Sequence, residues 1–497
     1  MFPPSPRTVR WLLAASGLLA GLCGLVGVQH GLAISSRSGL LWGATGLLGL
    51  TAVVNCLASI LVSESSIQQR VDSLSRFLTD IQAIQPSGHR RLGLGLVALG
   101  CGLFVLNSAW VLDHQDPPDD DDQMAYLITA QEIHETGGIP RLWRDLWSGR
   151  FEESNRHPLP LALQSLHPTV EFARLVGCLS AAGLMGLVLI LVWRRFGPLT
   201  AGLLAILLGS NGAWVYHTPR FVCECQLAGI SGLVWLELAR RGELPGRGRW
   251  LLLGGLIGLA WLTKGTGLLL LAAVLVSLLW LGISEVPTRR KRVLGLAAVL
   301  VAFVIVAAPL LVRNSIRFGS PTYNVNSYLL WVDTYESPNA LAEKMTLSEA
   351  RTAYLQSHSV ADLIRREVTG LAWEAFIGLR TLGPAPWDDA RVLGGLPLLA
   401  FGLLGVSAAT REAALSLVLW TGITWIVMAW YIPIAAGDRF MMPLLIPWLT
   451  LAADGLVRWA ATRQEFDDAI RRLVIATVIG GVVSTVLVWS RTSLWEG

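Results

Sequence analysis

Charge is what this chain lacks. Only 15% of its 497 residues are Asp, Glu, Lys or Arg, against roughly a quarter in a soluble domain, while 53% are hydrophobic. With a mean hydropathy of +0.54, that shortage excludes an ordinary soluble enzyme and points to a polytopic membrane protein. The net charge is only +4, and the basic residues sit in short clusters between apolar segments, which excludes nucleic acid as a partner. Cysteine is scarce as well. The six (Cys23, Cys56, Cys101, Cys178, Cys223 and Cys225) fall mostly within apolar segments and read as small buried hydrophobes. Cys223 and Cys225 are one residue apart, poor spacing for zinc, and no His–Cys cluster accompanies them. A cleavage pattern is also missing after Arg7 and Arg10. The apolar run from Trp11 to Leu32 is longer than a signal-peptide core and reads as a retained first span. There is no internal repeat and no low-complexity linker.

What is there is a series of apolar stretches: 11–32, 39–62, 92–112, 171–193, 197–213, 226–239, 250–262, 266–283, 293–312, 391–408, 414–433, 441–457 and 473–490. Each is read as a crossing, about 13 in all, in an all-α membrane fold. Lys264 and two glycines interrupt the 250–283 block, which predicts two short helices meeting at a polar turn. Arginines at 7–10, 70–91, 194–195, 240–249, 289–292 and 458–472 all fall on one side of a single alternation. Positive charge in short loops stays in the cytoplasm, so the N-terminus is inside and 113–170, 211–225, 313–390 and 434–440 lie outside the cytoplasmic membrane. Residues 1–90 read as a two-helix add-on with an amphipathic cytoplasmic helix, Ser66–Gln85. Residues 91–460 form the core, and 461–497 a last transmembrane helix.

The most polar segment is Asp113–Pro160, with four consecutive aspartates at 119–122. Such a segment cannot lie in hydrocarbon. The aspartates precede an apolar-periodic stretch, Met124, Leu127, Ile128 and Ile133, that stops at Gly137-Gly138 and Pro140. Part of the acidic run is therefore explained by helix capping. The outer loop 313–390 predicts two helices, one starting at the capping box Thr346–Glu349 and one near Ser359. They form a small subdomain on the membrane surface. Polar patches at Asp119–Tyr126, Arg156–Pro160, Arg220–Glu224, Lys264, Arg313–Pro321 and Asp438–Arg439 all fall at the outer face. Ionisable residues near membrane depth are costly and usually mark a site.

These patches resemble, in order, the motifs of GT-C glycosyltransferases, the polytopic enzymes that include aminoarabinose transferases and protein O-mannosyltransferases. Asp122-x-x-x-Tyr126 and His157-Pro158-Leu159-Pro160 are similar to the family's first outer loop. Thr218-Pro219-Arg220 through Glu224 is similar to its Arg-containing loop ending in Asp, and Gly258–Gly265 to its Gly-Leu-Ala-x-Leu-Thr-Lys-Gly segment. Pro309 through Pro321 and Arg439-Phe440 with Pro443 complete the series, which covers roughly 92–460. Gln123, Glu224, His157 and Phe440 stand where the family often has an acid, Asp, Lys and Tyr. These departures bear on the substrate more than on the reaction class.

The resemblance implies a membrane glycosyltransferase, a hexosyl- or pentosyltransferase. It would move one sugar from a polyprenyl phosphate, with inversion, to a protein, lipid or polysaccharide acceptor. Such transfer needs a base for the acceptor's proton and cations for the departing phosphate. Asp122 is the expected base because Tyr126 fixes the register, with Asp121 the alternative. Glu224 either orients the acceptor or neutralises Arg220. Arg156, His157, Lys264 and Arg439 are expected at the donor phosphate, and Tyr126, Arg220, Arg313 and Asn314 at substrate. No cofactor is required, although the oxygens of Asp119–Asp122 would suit a divalent cation. The competing function is a transporter or flippase of a lipid-linked sugar, for which visible two-fold repeats and mid-membrane charge would be the signature.

Overall fold

The computed structural model describes residues 89–114, 121–240, 246–284, 289–384, 391–431, 437–463 and 466–489, and the single positions 69, 72 and 76. Gln69, Asp72 and Arg76 are helical. The rest of Ser66–Gln85, and the two spans expected before it, lie outside the described residues. Among the described residues there is no strand beyond one isolated bridge between Asn211 and Pro384.

Among the described residues eight helices are long and apolar enough to cross a membrane, and the chain is a multi-pass membrane protein. In chain order the first helices are α1 (Arg90–His114), α2 (Asp121–Glu135), α3 (Gly138–Ser148), α4 (Pro158–Gln164), α5 (Val170–Phe196), α6 (Pro198–Gly209), α7 (Gly212–His217) and α8 (Glu224–Leu238). Next come α9 (Arg247–Thr263), α10 (Gly267–Ser284), α11 (Arg289–Phe318), α12 (Pro338–Lys344), α13 (Leu347–Ser357) and α14 (Val360–Leu382). The last four are α15 (Arg391–Ala408), α16 (Arg411–Tyr431), α17 (Asp438–Ala461) and α18 (Phe466–Trp489).

Two expected elements are divided differently. The 197–213 stretch is not one span. It is the buried 12-residue α6, then Ser210 and the short α7, whose start Asn211 caps by accepting from Trp214 N at 2.9 Å. Twelve residues reach only about 18 Å, short of a bilayer core. The Gly137-Gly138 stop is real, with φ of 122° and 65°, but the chain resumes at once as α3 and carries Pro140 in its first turn, where no amide partner is needed. The polar break at Lys264 falls as expected between α9 and α10. The expected capping box, Thr346 with Glu349, is formed, and the helix expected near Ser359 also opens with one, Ser359 with Asp362.

α17 is the axis of the bundle. Its apolar window is wholly buried inside the protein, whereas each of the other seven spans has less than half of its window buried. Close approach to α17 is made by small residues, as expected where packing rather than water drives helix association. A methyl on Gly455 would lie 2.1 Å from Phe401 O, and one on Gly405 would lie 2.2 Å from Leu451 O. α17 begins at Asp438. That carboxylate accepts from Arg380 Nε at 3.0 Å and Arg391 Nη2 at 2.6 Å, so α14, α15 and α17 are tied together at one end. Asp438 therefore fixes the direction in which its neighbour Arg439 leaves the helix.

The segment after α11 folds as a small cap. A 3-10 turn at Val325–Trp331 packs with α12 and α13 around Val325, Tyr328, Leu341 and Ala350. Arg366 of α14 lies between Tyr354 and Trp430 (5.1 and 4.8 Å to the ring centres) and donates to Val332 O at 2.8 Å and Trp430 O at 2.9 Å. Cap and membrane helices are thereby stapled at one point.

Candidate active site

The site forms where α2, the turn before α4, the start of α8, the α9–α10 break and the start of α17 converge. Asp122, in the first turn of α2, takes a hydrogen bond from Arg439 Nη1, at the first turn of α17. Both side chains remain open to water, 44% and 37% exposed. Glu224 opens α8 and is nearly enclosed. Its Oε1 accepts from Lys264 Nζ at 2.7 Å, while Oε2 has no partner among the described residues. Lys264 and Arg439 share the ring of Phe440, at 5.5 and 5.1 Å from its centre. Two carboxylates and two cations from four separate stretches of chain are thus gathered about one aromatic ring.

Tyr126 lies one turn beyond Asp122. Its hydroxyl donates to Cys223 Sγ at 3.2 Å, and Arg156 covers its ring at 5.6 Å. Arg156 is itself held by Glu153 at 3.1 Å. The buried His157 is bonded through Nδ1 to the carbonyl of Trp261, which requires that nitrogen to carry the proton and leaves Nε2 as an acceptor. Burial pushes its pKa down to about 4, only partly opposed by that hydrogen bond and reinforced by Arg313 and Lys264. His157 therefore offers a lone pair and no charge at neutral pH, which does not suit the phosphate-binding role expected of it.

The other expected residues are spread around this centre. Arg220 donates to Tyr216 Oη at 2.6 Å and lies 4.9 Å over its ring, whereas Glu224 is engaged by Lys264. Arg313 sits between Phe151 and Phe318 and donates to Glu153 O at 2.5 Å. Asn314 donates to Pro321 O and Tyr323 O, both at 3.1 Å. Both are engaged in holding the loops that frame the site. Asp121 starts α2, and Asp119 and Asp120 lie outside the described residues. Among the described residues no group of three His, Cys, Asp or Glu side chains is placed to hold a metal.

Several participants were not singled out from sequence. His217, at the end of α7, is charge-coupled to Glu224, Asp438, Arg439 and Lys264. Burial brings its pKa to about 4, and its Nδ1 is buried without a partner among the described residues. Beside the charges lies a cavity of about 310 Å³ walled by Tyr126, His157, Lys264 and Phe440, and by asparagines from two loops. That volume is at the lower end for small-molecule sites, roughly 300–1,000 Å³. Tyr431, also in its wall, feels Arg439, Lys264 and Asp122 electrostatically, so the ion pairs and the cavity are contiguous.

Comparison with known proteins gives the following. No protein-family model and no curated protein sequence matches the chain. Among solved structures it is similar to ArnT from Cupriavidus metallidurans bound to undecaprenyl phosphate, with 16% identity and a TM-score of 0.44 over 80% of this chain and 73% of that one. It is also similar to the Archaeoglobus fulgidus oligosaccharyltransferase tethered to an acceptor peptide, with 12% identity and a TM-score of 0.47 over 80% of this chain. A third similar structure is the oligosaccharyltransferase AglB of that organism in complex with an inhibitory peptide and a dolichol-phosphate, with 14% identity and a TM-score of 0.42. The chain spans only 55% and 56% of the length of these two.

Proposed function

We propose that this protein is a membrane glycosyltransferase that moves a single sugar from a polyprenyl monophosphate to an acceptor at the extracytoplasmic face of the cytoplasmic membrane. The observation that carries this reading is the pairing of Asp122 with Arg439 and Glu224 with Lys264 around Phe440, beside a cavity of ligand size. Four of the motifs read from the sequence supply these charged side chains.

In this reading the lipid phosphate lies between Lys264 and Arg439, with Arg156 nearby. The acceptor oxygen attacks the anomeric carbon as its proton passes to Asp122. The bond from that carbon to the phosphate oxygen breaks, and the electron pair leaves on the polyprenyl phosphate, whose added negative charge the two cations stabilise. Asp122 suits the base role because its carboxyl is water-accessible and one hydrogen bond from the cation that the phosphate would claim. Glu224, with one free oxygen, suits acceptor orientation.

The test is to incubate the purified protein with polyprenyl monophosphates bearing labelled sugars and with cell-envelope acceptors. A new glycosidic product that disappears in Asp122→Asn, with the variant still folded and inserted, supports the reading. Full activity in that variant removes Asp122 from the mechanism. Movement of the labelled lipid across a vesicle without bond formation identifies a transporter instead.

A further inference from the structure

We infer that the cavity beside the ion pairs is the donor-sugar subsite and that it selects an uncharged, hydroxyl-rich sugar over an amino sugar. This rests on the transferase reading above. The backbone of Val325 donates to Ser154 O at 3.2 Å, which brings the loop after α11 against the loop before α4. The contact assembles three asparagines in the cavity wall. Asn326 Nδ2 donates to Asn155 Oδ1 at 2.6 Å, Asn326 N to Asn324 Oδ1 at 2.8 Å, and Asn324 Nδ2 to Asn155 O at 3.4 Å.

These bonds fix the amides but leave hydrogen-bonding capacity on residues that line the cavity. The Asn155 amide nitrogen and the Asn326 side-chain carbonyl have no partner among the described residues, and none of the three side chains is fully buried. His157 Nε2 adds a neutral acceptor. It lies close enough to Gly265 that a methyl there would stand 3.4 Å from it. Thr266 and Ser327 add hydroxyls, and Trp261 and Tyr431 add apolar faces.

Charge decides the class of ligand. Among the described residues no Asp or Glu lines the cavity, and the carboxylates of the adjoining ion pairs, Asp122 and Glu224, are already bonded to Arg439 and Lys264. An ammonium group would therefore lose its hydration and have to compete with those cations for a counter-ion. The cation in the wall, Lys264, is already bonded to Glu224, and it stands at the side where the phosphate is expected. Amides, hydroxyls and a neutral imidazole instead match the paired donor and acceptor character of sugar hydroxyls. A site built to bond hydroxyls discriminates strongly, because the unpaired amides are costly when the ligand cannot satisfy them.

The experiment measures binding of four probes to the full-length protein in nanodiscs: bare polyprenyl phosphate, and the same carrier bearing a neutral hexose, a neutral pentose or a 4-amino-4-deoxy pentose. At least one neutral-sugar carrier is expected to bind ten-fold or more tightly than the bare carrier, and the amino-sugar carrier no more tightly than the bare one. Asn326→Asp places a carboxylate in the wall. It should reduce the neutral-sugar preference at least ten-fold and improve binding of the amino sugar, with affinity for the bare carrier reporting that the variant is folded. If the sugar adds nothing, or the wild type prefers the amino sugar, the inference is overturned while the transferase reading stands. If no carrier binds at all, both fall.

Discussion

Asp122 and Arg439 lie 317 residues apart and are hydrogen-bonded across the site. The proposed base is therefore paired with the cation that the donor phosphate would use. Phosphate binding to Arg439 would exchange one anion for another and release Asp122 toward the acceptor. The base would become available only when donor is present, which guards against proton abstraction without a sugar to receive.

The first prediction contrasts function with stability at this pair. Because both side chains are more than a third exposed, their ion pair contributes little to folding, about 0–1 kcal/mol. Arg439→Ala should therefore leave the melting temperature within a degree or two while lowering kcat/KM for the lipid donor by about a hundred-fold, the size expected when an oxyanion-stabilising group is lost. Arg439→Lys should recover part of the loss, since charge is kept but the fork is not. Steady-state kinetics and a thermal-shift assay on the same preparations check both halves.

Glu224 and Lys264 should behave in the opposite way. Glu224 is 4% exposed and Lys264 23%, so removing either partner strands a largely enclosed charge. Single substitutions at such pairs cost roughly 3–5 kcal/mol when both groups are fully buried, and partial exposure of Lys264 reduces the figure. Glu224→Gln and Lys264→Met should each destabilise. The double variant should regain most of the lost stability yet remain inactive, because the phosphate has lost a cation. A double-mutant cycle on melting and on turnover separates the two effects.

Acid should destabilise the protein through two imidazoles. Burial lowers the pKa of His157 and of His217 to about 4 in the folded state, against 6.5 in an unfolded chain. Between those values the unfolded chain binds more protons than the folded one, so stability rises with pH. The contribution is complete above about pH 6.5 and is lost progressively as pH falls toward 4. Melting temperatures measured from pH 7.5 to 4.5 should show this slope, and His157→Gln combined with His217→Gln should flatten it.

The sequence made the membrane architecture legible because hydrocarbon imposes a simple composition on each span. The charged motifs were legible because charge near membrane depth has few other uses. What it did not disclose were pairings. Glu224 was weighed against its near neighbour Arg220, yet its partner is Lys264, forty residues on. That choice is made by the α9–α10 break, which points Lys264 back at the start of α8. The asparagines of the cavity carry no motif at all. They come together because one backbone bond, Val325 to Ser154, joins two loops. Hydropathy reads 197–213 as one crossing because it does not distinguish a buried helix from a lipid-facing one, and α6 is buried from Leu199 to Gly209.

One buried carboxyl has no use in the site and sets the last prediction. Glu374 of α14 is 1% exposed, and neither of its side-chain oxygens has a partner among the described residues. It borders an apolar cavity of about 210 Å³ walled by Leu399, Trp425, Leu444 and Trp448. An unsatisfied polar group in such surroundings costs about 1–3 kcal/mol by mutational measures. Glu374→Leu keeps the bulk and removes the cost, so it should raise the melting temperature of the purified protein and leave transfer activity intact. Glu374→Gln retains a polar amide with the same lack of partners and should gain less. A drop in melting temperature for the leucine variant would mean that this carboxyl is satisfied within the membrane by a group such as a lipid hydroxyl, and addition of native lipid would then stabilise only the wild type.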